Sequence, residues 1–370
     1  MKPKKEARES GIELLRIILM MQIIMLHTYY YSGYSDFAKT IGGNHKLFAG
    51  FMMSFFNTPV DVFLIISGYF MIYNQFGNKN YINRIIKVYL PALFYSVVLG
   101  LICINFYPYG ITHSNYNPIK IFTPFFSKSW YFISNYILIV IFIPFINITL
   151  QKLTQKQYIR LLGLLGVLLS IWPNLSSFFP FGQIFSVNKI IDTFDGKSLI
   201  SFLFMYIIGG YLRLFVAENR KIRLLYLVSF FGFSMIDFGL KFISEPHVFE
   251  YNKIAGRYDN PFVICGAIAL FLFFREIKFK SRIVNSIAGT TFGIYMIHEF
   301  APIRILIWTE IFNLKTKYHY IFNDKSYIIK VYVIMLLIFI SCMVIEYTRQ
   351  FLFSSVEKII TKVKKNKNSI

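Results

Sequence analysis

Blocks of about 20 consecutive apolar residues recur along almost the whole chain, and each is long enough to cross the hydrocarbon core of a bilayer. A backbone in lipid must satisfy its own N–H and C=O groups, so these blocks are expected to be helices. No polar stretch between them is long enough for a soluble domain. Charged residues make up only 15% of the 370 positions, against about 25% in soluble domains. The fold class that follows is all-α, a polytopic integral membrane protein of about ten transmembrane helices. Candidate spans are roughly 11–31, 47–73, 85–106, 131–150, 158–177, 198–216, 222–243, 260–275, 284–303 and 327–353. Pro59 lies in the second and Pro302 in the ninth, where a helix is expected to bend or break.

With the N-terminus in the cytoplasm, an even number of spans returns the C-terminus to the same side. Lys and Arg then concentrate in the shorter, cytoplasmic loops, as the positive-inside rule requires. The layout is a basic cytoplasmic N-terminus over 1–10, a membrane domain over 11–353 and a basic cytoplasmic tail over 354–370. The first block carries Glu13 and Arg16 and no small-x-small cleavage site follows it, so it reads as a helix and not a removed signal. The net charge of +21 suits loops facing anionic lipid headgroups, and no nucleic-acid partner is expected. Cys103, Cys265 and Cys342 fall singly in separate blocks, which implies neither a disulfide framework nor a metal site.

Ionisable side chains within such spans are costly and mark functional positions by default. The first span reads GIELLRIILMMQIIMLHTYYY, with Arg16 and His27 eleven residues apart. Eleven steps of about 100° return to within about 20° of the starting direction, with a rise of about 16 Å. One helix face therefore carries a cation in its cytoplasmic half and an imidazole in its outer half, with Glu13 beside the cation. Histidine exchanges protons near neutral pH, so His27 is a candidate general base. On spacing alone a structural reading stands beside this one, with Arg16 snorkelling to the headgroups and His27 bonding a neighbouring helix.

The second span holds Asp61, open between a functional acid and a carboxylate bonded to a neighbour, and Ser67-Gly68, a notch for another backbone. Arg84 and Lys87, at the start of the third, are either topogenic or anion-binding. The ninth contains AGTTFGIYMIHEF, in which Gly289 and Gly293 are expected to form a small-xxx-small face. Tyr295 and His298, three residues apart, are neighbours there, with Glu299 beside them and at a depth similar to His27. Asp237 and Glu346 are further buried acids to which the sequence assigns no role.

Five segments in order carry a family resemblance: IELLRIILMMQIIMLH, VDVFLIISGYFM, NRIIKVYLP, WYFISNYILIVIFIPFIN from Trp130 to Asn147, and GTTFGIYMIHEF. Together, across about residues 10–350, they resemble acyltransferase family 3, polytopic O-acyltransferases of bacterial surface glycans. The resemblance implies transfer of an acyl group, usually acetyl, from cytoplasmic acyl-CoA to a hydroxyl of a surface polysaccharide or its lipid-linked precursor, in a bacterial plasma membrane. It puts the essential histidine at His27 and its basic partner at Arg16. Arg16, Arg84 and Lys87 would meet the anionic CoA headgroup, and Glu13, Asp61, Ser67, Trp130, Tyr295 and His298 are candidates for substrate binding. Acetyl-CoA would be a co-substrate, with no resident cofactor and no metal. Covalent relay through an acyl-histidine is a variant of the same chemistry. Membrane lipid and a second copy of the chain complete the expected partners.

Some relatives carry an extra extracytoplasmic domain that this sequence lacks, so the acceptor is expected to meet the membrane domain itself. A transporter or flippase of lipid-linked saccharide would use the same buried charges as a path, but should show inverted repeats. A glycan polymerase should carry a large outer loop, whereas those around 107–130 and 178–197 are modest. Phosphate-binding GxxxxGK[ST], HExxH and GxSxG motifs are absent.

Overall fold

The computed structural model describes residues 9–74, 80–126, 129–176, 193–243, 256–312 and 326–367. Residues 1–8 of the basic N-terminus and 177–192 of the loop expected at 178–197 lie outside them, as do the side chains of the tail beyond Ser355. All elements are helical, and no strand occurs among the described residues. The first half of the chain forms α1 (Ser10–Tyr31), α2 (Tyr34–Ile41), α3 (Gly43–Phe55), α4 (Pro59–Met71), α5 (Asn80–Phe106), α6 (Pro108–His113), α7 (Tyr131–Leu150), α8 (Gln155–Gly166) and α9 (Trp172–Ser176). The second half forms α10 (Leu199–Phe215), α11 (Arg223–Ile243), α12 (Pro261–Arg275), α13 (Arg282–Ala288), α14 (Thr291–His298), α15 (Ala301–Ile305) and α16 (Tyr327–Lys367).

Seven helical stretches among the described residues are long and apolar enough to cross a membrane: Ser10–Tyr31, Gly43–Met71, Asn83–Phe106, Tyr131–Leu150, Gln155–Leu175, Arg220–Lys241 and Tyr327–Ser355. Leu199–Phe215 and Pro261–Arg275 are apolar but shorter. The outer faces of α5, α11 and α16 expose residues such as Leu101, Leu225, Val228, Leu337 and Ile340. In water such faces would be a liability; in lipid they are the required surface.

The ninth expected span, 284–303, is not one helix. It is divided into α13, α14 and α15, and Pro302 sits in the first turn of α15, where its missing N–H costs nothing. Gly289 caps α13, its N–H bonding back to the carbonyls of Asn285 and Ser286 at 3.2 and 3.1 Å. The hydroxyls of Thr290 and Thr291 take the carbonyls of Ile287 and Ala288 at 2.7 and 2.9 Å. Gly289 and Gly293 therefore belong to different elements, and the small-xxx-small face expected through both does not form. Gly293 alone makes a close approach, since a Cβ there would fall 2.3 Å from the Glu346 carboxylate carbon.

The notch expected at Ser67-Gly68 does receive a backbone. A Cβ on Gly68 would fall 2.0 Å from the Tyr206 carbonyl oxygen, and one on Gly209 would fall 2.2 Å from that of Ile65. Helices α4 and α10 thus meet backbone to backbone. The end of α4 is tied down by α7, where Asn147 Nδ2 donates to the carbonyls of Met71 and Asn74 at 2.7 and 2.9 Å. Asp237 and Glu346 have structural partners. Asp237 accepts from Ser54 at 2.6 Å and from Asn260 at 2.8 Å, joining α3, α11 and the start of α12. Glu346 accepts from Tyr95, Arg349 and Gln350, joining α5 to α16.

Helix α1 runs through the middle of the assembly, packed by α2, α3, α4, α12, α13, α14 and α16. Its first turn is anchored: Ser10 Oγ donates to Asn285 Oδ1 at 2.9 Å and accepts from the Ser281 N–H at 2.8 Å. That anchoring fixes the rotation of α1 and hence which face it turns inward.

Candidate active site

The face that α1 turns inward lines a cavity of about 280 Å³. Arg16, Met20, Ile23, His27 and Tyr31 contribute from that face, at the spacing of a single helical stripe. Phe63 and Ser67 of α4, Phe132 and Tyr136 of α7, and Tyr295 of α14 form facing walls, and Lys197 and Tyr258 line it as well. Arg16 and His27 thus look into one space, the cation towards the Ser10 end of α1 and the imidazole towards the Tyr31 end. Glu13 is buried and pairs with Arg16 at 3.6 Å.

His27 meets a second imidazole from the far end of the chain. Its Nδ1 lies 3.0 Å from His298 Nε2 and 3.1 Å from Glu299 Oε2. His298 Nδ1 is 2.6 Å from the Ile294 carbonyl oxygen, one turn back in α14. A carbonyl only accepts, so the His298 proton sits on Nδ1 and its Nε2 offers a lone pair. The proton shared between the rings then belongs to His27 Nδ1, which leaves His27 Nε2 bare. A bare imidazole nitrogen in a cavity wall is a proton acceptor.

Glu299 is held on its other side. Arg304 donates to Oε1 at 2.7 Å and the Tyr31 hydroxyl donates to the same oxygen at 3.2 Å. The Arg304 guanidinium also lies over the Tyr31 ring, 4.5 Å from its centroid. One carboxylate oxygen is therefore fixed by two donors while the other faces His27. The Nδ1–H hydrogen bond goes to His298, so the Glu299 carboxylate acts on the ring by its charge, at a distance that favours an imidazolium as it forms. The helix break creates this arrangement, because Glu299 is the residue at which α14 stops.

The structure brings Arg16, His27, Ser67, Tyr295 and His298 together at or beside this cavity. Ser67 Oγ bonds back to the Phe63 carbonyl at 2.8 Å. Asp61 is buried but does not line the cavity, which α4 walls with Val60, Phe63, Ile66 and Ser67. Arg84 is half-buried, Lys87 is exposed, and the cavity-lining residue of α5 is Val88. Trp130 is buried at the start of α7 and lines a neighbouring cavity. Glu299, Arg304 and Tyr31 were not among the expected site residues. Tyr31 follows His27 by four positions, so helical spacing alone would have placed it next to that ring, 5.2 Å away between centroids.

Comparison with known proteins adds one match. A family profile described as an acyltransferase domain covers residues 9–347, nearly the whole chain and all the residues above. No curated protein and no solved structure matches.

Proposed function

The chain belongs to acyltransferase family 3, and on that premise we propose that it moves an acyl group, acetyl by preference, from acyl-CoA to a hydroxyl of a cell-surface polysaccharide or its lipid-linked precursor. In this reading it works in a bacterial plasma membrane with both termini in the cytoplasm, and His27 is the general base. One observation carries the assignment: His27 Nδ1 lies 3.0 Å from His298 Nε2 and 3.1 Å from Glu299 Oε2 while the His27 ring borders the cavity that Arg16 also lines.

The steps follow from those contacts. The acceptor hydroxyl gives its proton to His27 Nε2 as its oxygen attacks the thioester carbonyl carbon. The imidazolium that forms is steadied by the charge of Glu299, 3.1 Å from Nδ1, a carboxylate that Arg304 and Tyr31 keep in place. The buried Tyr295 hydroxyl, which has no hydrogen-bond partner among the described residues, is placed to donate to the developing oxyanion. Collapse of the tetrahedral species breaks the C–S bond, and the departing thiolate takes the proton back from His27. The products are an O-acyl ester and CoA thiol. Arg16 would receive an anionic or carbonyl group of the donor as its pantetheine arm enters the cavity. Arg84 and Lys87, which precede the cavity-lining Val88, would meet the nucleotide outside it.

The test is transfer of label from [¹⁴C]acetyl-CoA to deacylated surface polysaccharide by the protein in proteoliposomes. Wild type should label the glycan, and His27→Ala should reduce labelling by at least about 10²-fold at equal membrane abundance. Full activity in His27→Ala would remove the assigned base.

A further inference from the structure

A second cavity, of about 260 Å³, adjoins the first and shares Tyr131, Tyr295 and Glu299 with it. Its remaining walls come chiefly from the segment between α6 and α7 and from the start of α15. The two spaces differ in character. The first runs along an apolar stripe from Arg16 to His27, whereas Asn115, Lys120, Ser129, Trp130 and Arg304 line the second.

Two of the buried donors in the wall of the second cavity, on Trp130 and Tyr295, have no hydrogen-bond partner among the described residues. Trp130 is 2% exposed and Tyr295 8%, and neither the indole Nε1 nor the hydroxyl makes a hydrogen bond among the described residues. Buried N–H and O–H groups are rarely left unpaired, and such exceptions call for a ligand or water. Both lie in the wall of a space large enough for one. Aromatic surfaces for ring C–H groups, with amide, hydroxyl and indole donors between them, match the chemistry of a pyranose ring.

We propose that donor and acceptor occupy separate cavities meeting at Tyr131, Tyr295 and Glu299, and that the second cavity is the acceptor subsite, which takes a saccharide ring through Trp130, Asn115 and Ser129. The proposal rests on the acyl-transfer reading and extends it to the acceptor side. Its consequence is a division of labour along the protein. Substitutions at Arg16 act on use of acyl-CoA, and substitutions at Trp130 or Asn115 act on use of the glycan. Tyr295, common to both spaces, faces the junction where the ester forms.

Two variants test it with little disturbance of the fold. Trp130→Phe keeps an aromatic six-membered ring and removes the indole N–H with its five-membered ring. Asn115→Gly removes an exposed amide and keeps a backbone that already has φ of 51°, a value glycine adopts freely. Steady-state kinetics would use [¹⁴C]acetyl-CoA and oligosaccharide fragments of the deacylated surface polysaccharide of the source cells. Each variant should raise KM for the oligosaccharide about fivefold to tenfold, the size of one lost hydrogen bond, with KM for acetyl-CoA unchanged. An unchanged oligosaccharide KM in both variants, or equal rises in both KM values, overturns the two-cavity assignment while leaving acyl transfer intact. A wild-type protein that labels none of the fragments or the parent polysaccharide overturns the acyl-transfer reading, and this one with it.

Discussion

His27 and His298 stand 271 positions apart in the chain, yet His27 Nδ1 lies 3.0 Å from His298 Nε2. The Ile294 carbonyl claims the other nitrogen of His298, and this fixes the order of protons along the pair. His298 is neutral with Nδ1 protonated, and His27 presents Nε2 as an acceptor. Without Ile294 the two rings could exchange roles, and the cavity would face a donor as often as a base. A buried backbone carbonyl therefore sets the polarity of the site, although Ile294 does not line the cavity.

Glu299 should matter to turnover more than to binding. Glu299→Gln keeps the shape and the contact with Tyr31, but removes the charge beside the imidazolium. By analogy with carboxylate-to-amide changes in histidine-based hydrolases, kcat should fall by about 10²- to 10⁴-fold with little change in KM for acyl-CoA. The measurement is steady-state transfer with membrane abundance checked by immunoblot. A fall in KM-based affinity with intact kcat would place Glu299 in substrate binding instead. Tyr31→Phe, which removes the 3.2 Å hydrogen bond to Glu299 and the 3.4 Å one from Arg304, should cost about fivefold.

His27, His298 and Glu299 offer three ligating atoms within 4.8 Å of one another, a spacing that invites a metal reading. Arg304 argues against it. Its guanidinium already lies 2.7 Å from Glu299, and a divalent ion on the opposite oxygen would put two cations on one carboxylate. Dialysis of the reconstituted protein against EDTA should leave acetyl transfer unchanged, and added Zn²⁺ should inhibit by capturing the bare nitrogen of His27. Activity lost to EDTA and restored by a single metal would reverse the argument.

The parts of this site that the sequence discloses are those that live on one helix. Arg16 and His27 share a face because a period of about 100° per residue fixes their angular relation without any tertiary information. Asp61 shows the limit of burial as a guide. The cavity face of α4 is the stripe Val60, Phe63, Ser67, and Asp61 lies about 100° from Val60 and about 200° from Phe63 on the helix. It is buried outside that stripe. The Glu299–Arg304 pair was not legible for another reason. An unbroken helix running through 284–304 would place those two residues, five positions apart, about 140° from each other. Only the stop after His298 and the restart at Ala301 turn them towards each other. Pro302 signalled a break, but not what the break would assemble.

Arg16 should behave as a donor-side residue. Its pairing with Glu13 is loose, at 3.6 Å with Arg16 about one-third exposed, so the guanidinium keeps donors to spare for a ligand. Arg16→Ala is expected to raise KM for acyl-CoA about tenfold or more with a smaller effect on kcat, the pattern of lost uniform binding. Arg16→Lys should recover part of the loss, since charge returns but the planar fork does not. Raising ionic strength should mimic the substitution in wild type and do little in Arg16→Ala. Unaltered acyl-CoA kinetics in Arg16→Ala would remove the donor route along α1.

Gly68 tests the scaffold rather than the chemistry. Helix α4 can bring Phe63 and Ser67 to the cavity only while α10 lies directly against it, and that contact is made by carbonyls facing glycines on both sides. The methyl group of Gly68→Ala would sit 2.0 Å from the Tyr206 carbonyl oxygen. Backbone atoms cannot rotate away as a flexible side chain can, so the helices must separate. A helix displacement of this kind typically costs about 1–3 kcal/mol. Gly163→Ala is the matched control, because no atom of the described residues lies within 4 Å of a Cβ there. In membranes, Gly68→Ala should lower the yield of detergent-stable protein and its thermal midpoint, and Gly163→Ala should leave both unchanged. Equal behaviour of the two variants would show that the α4–α10 contact is looser than the backbone distances imply, and that the cavity wall does not depend on it.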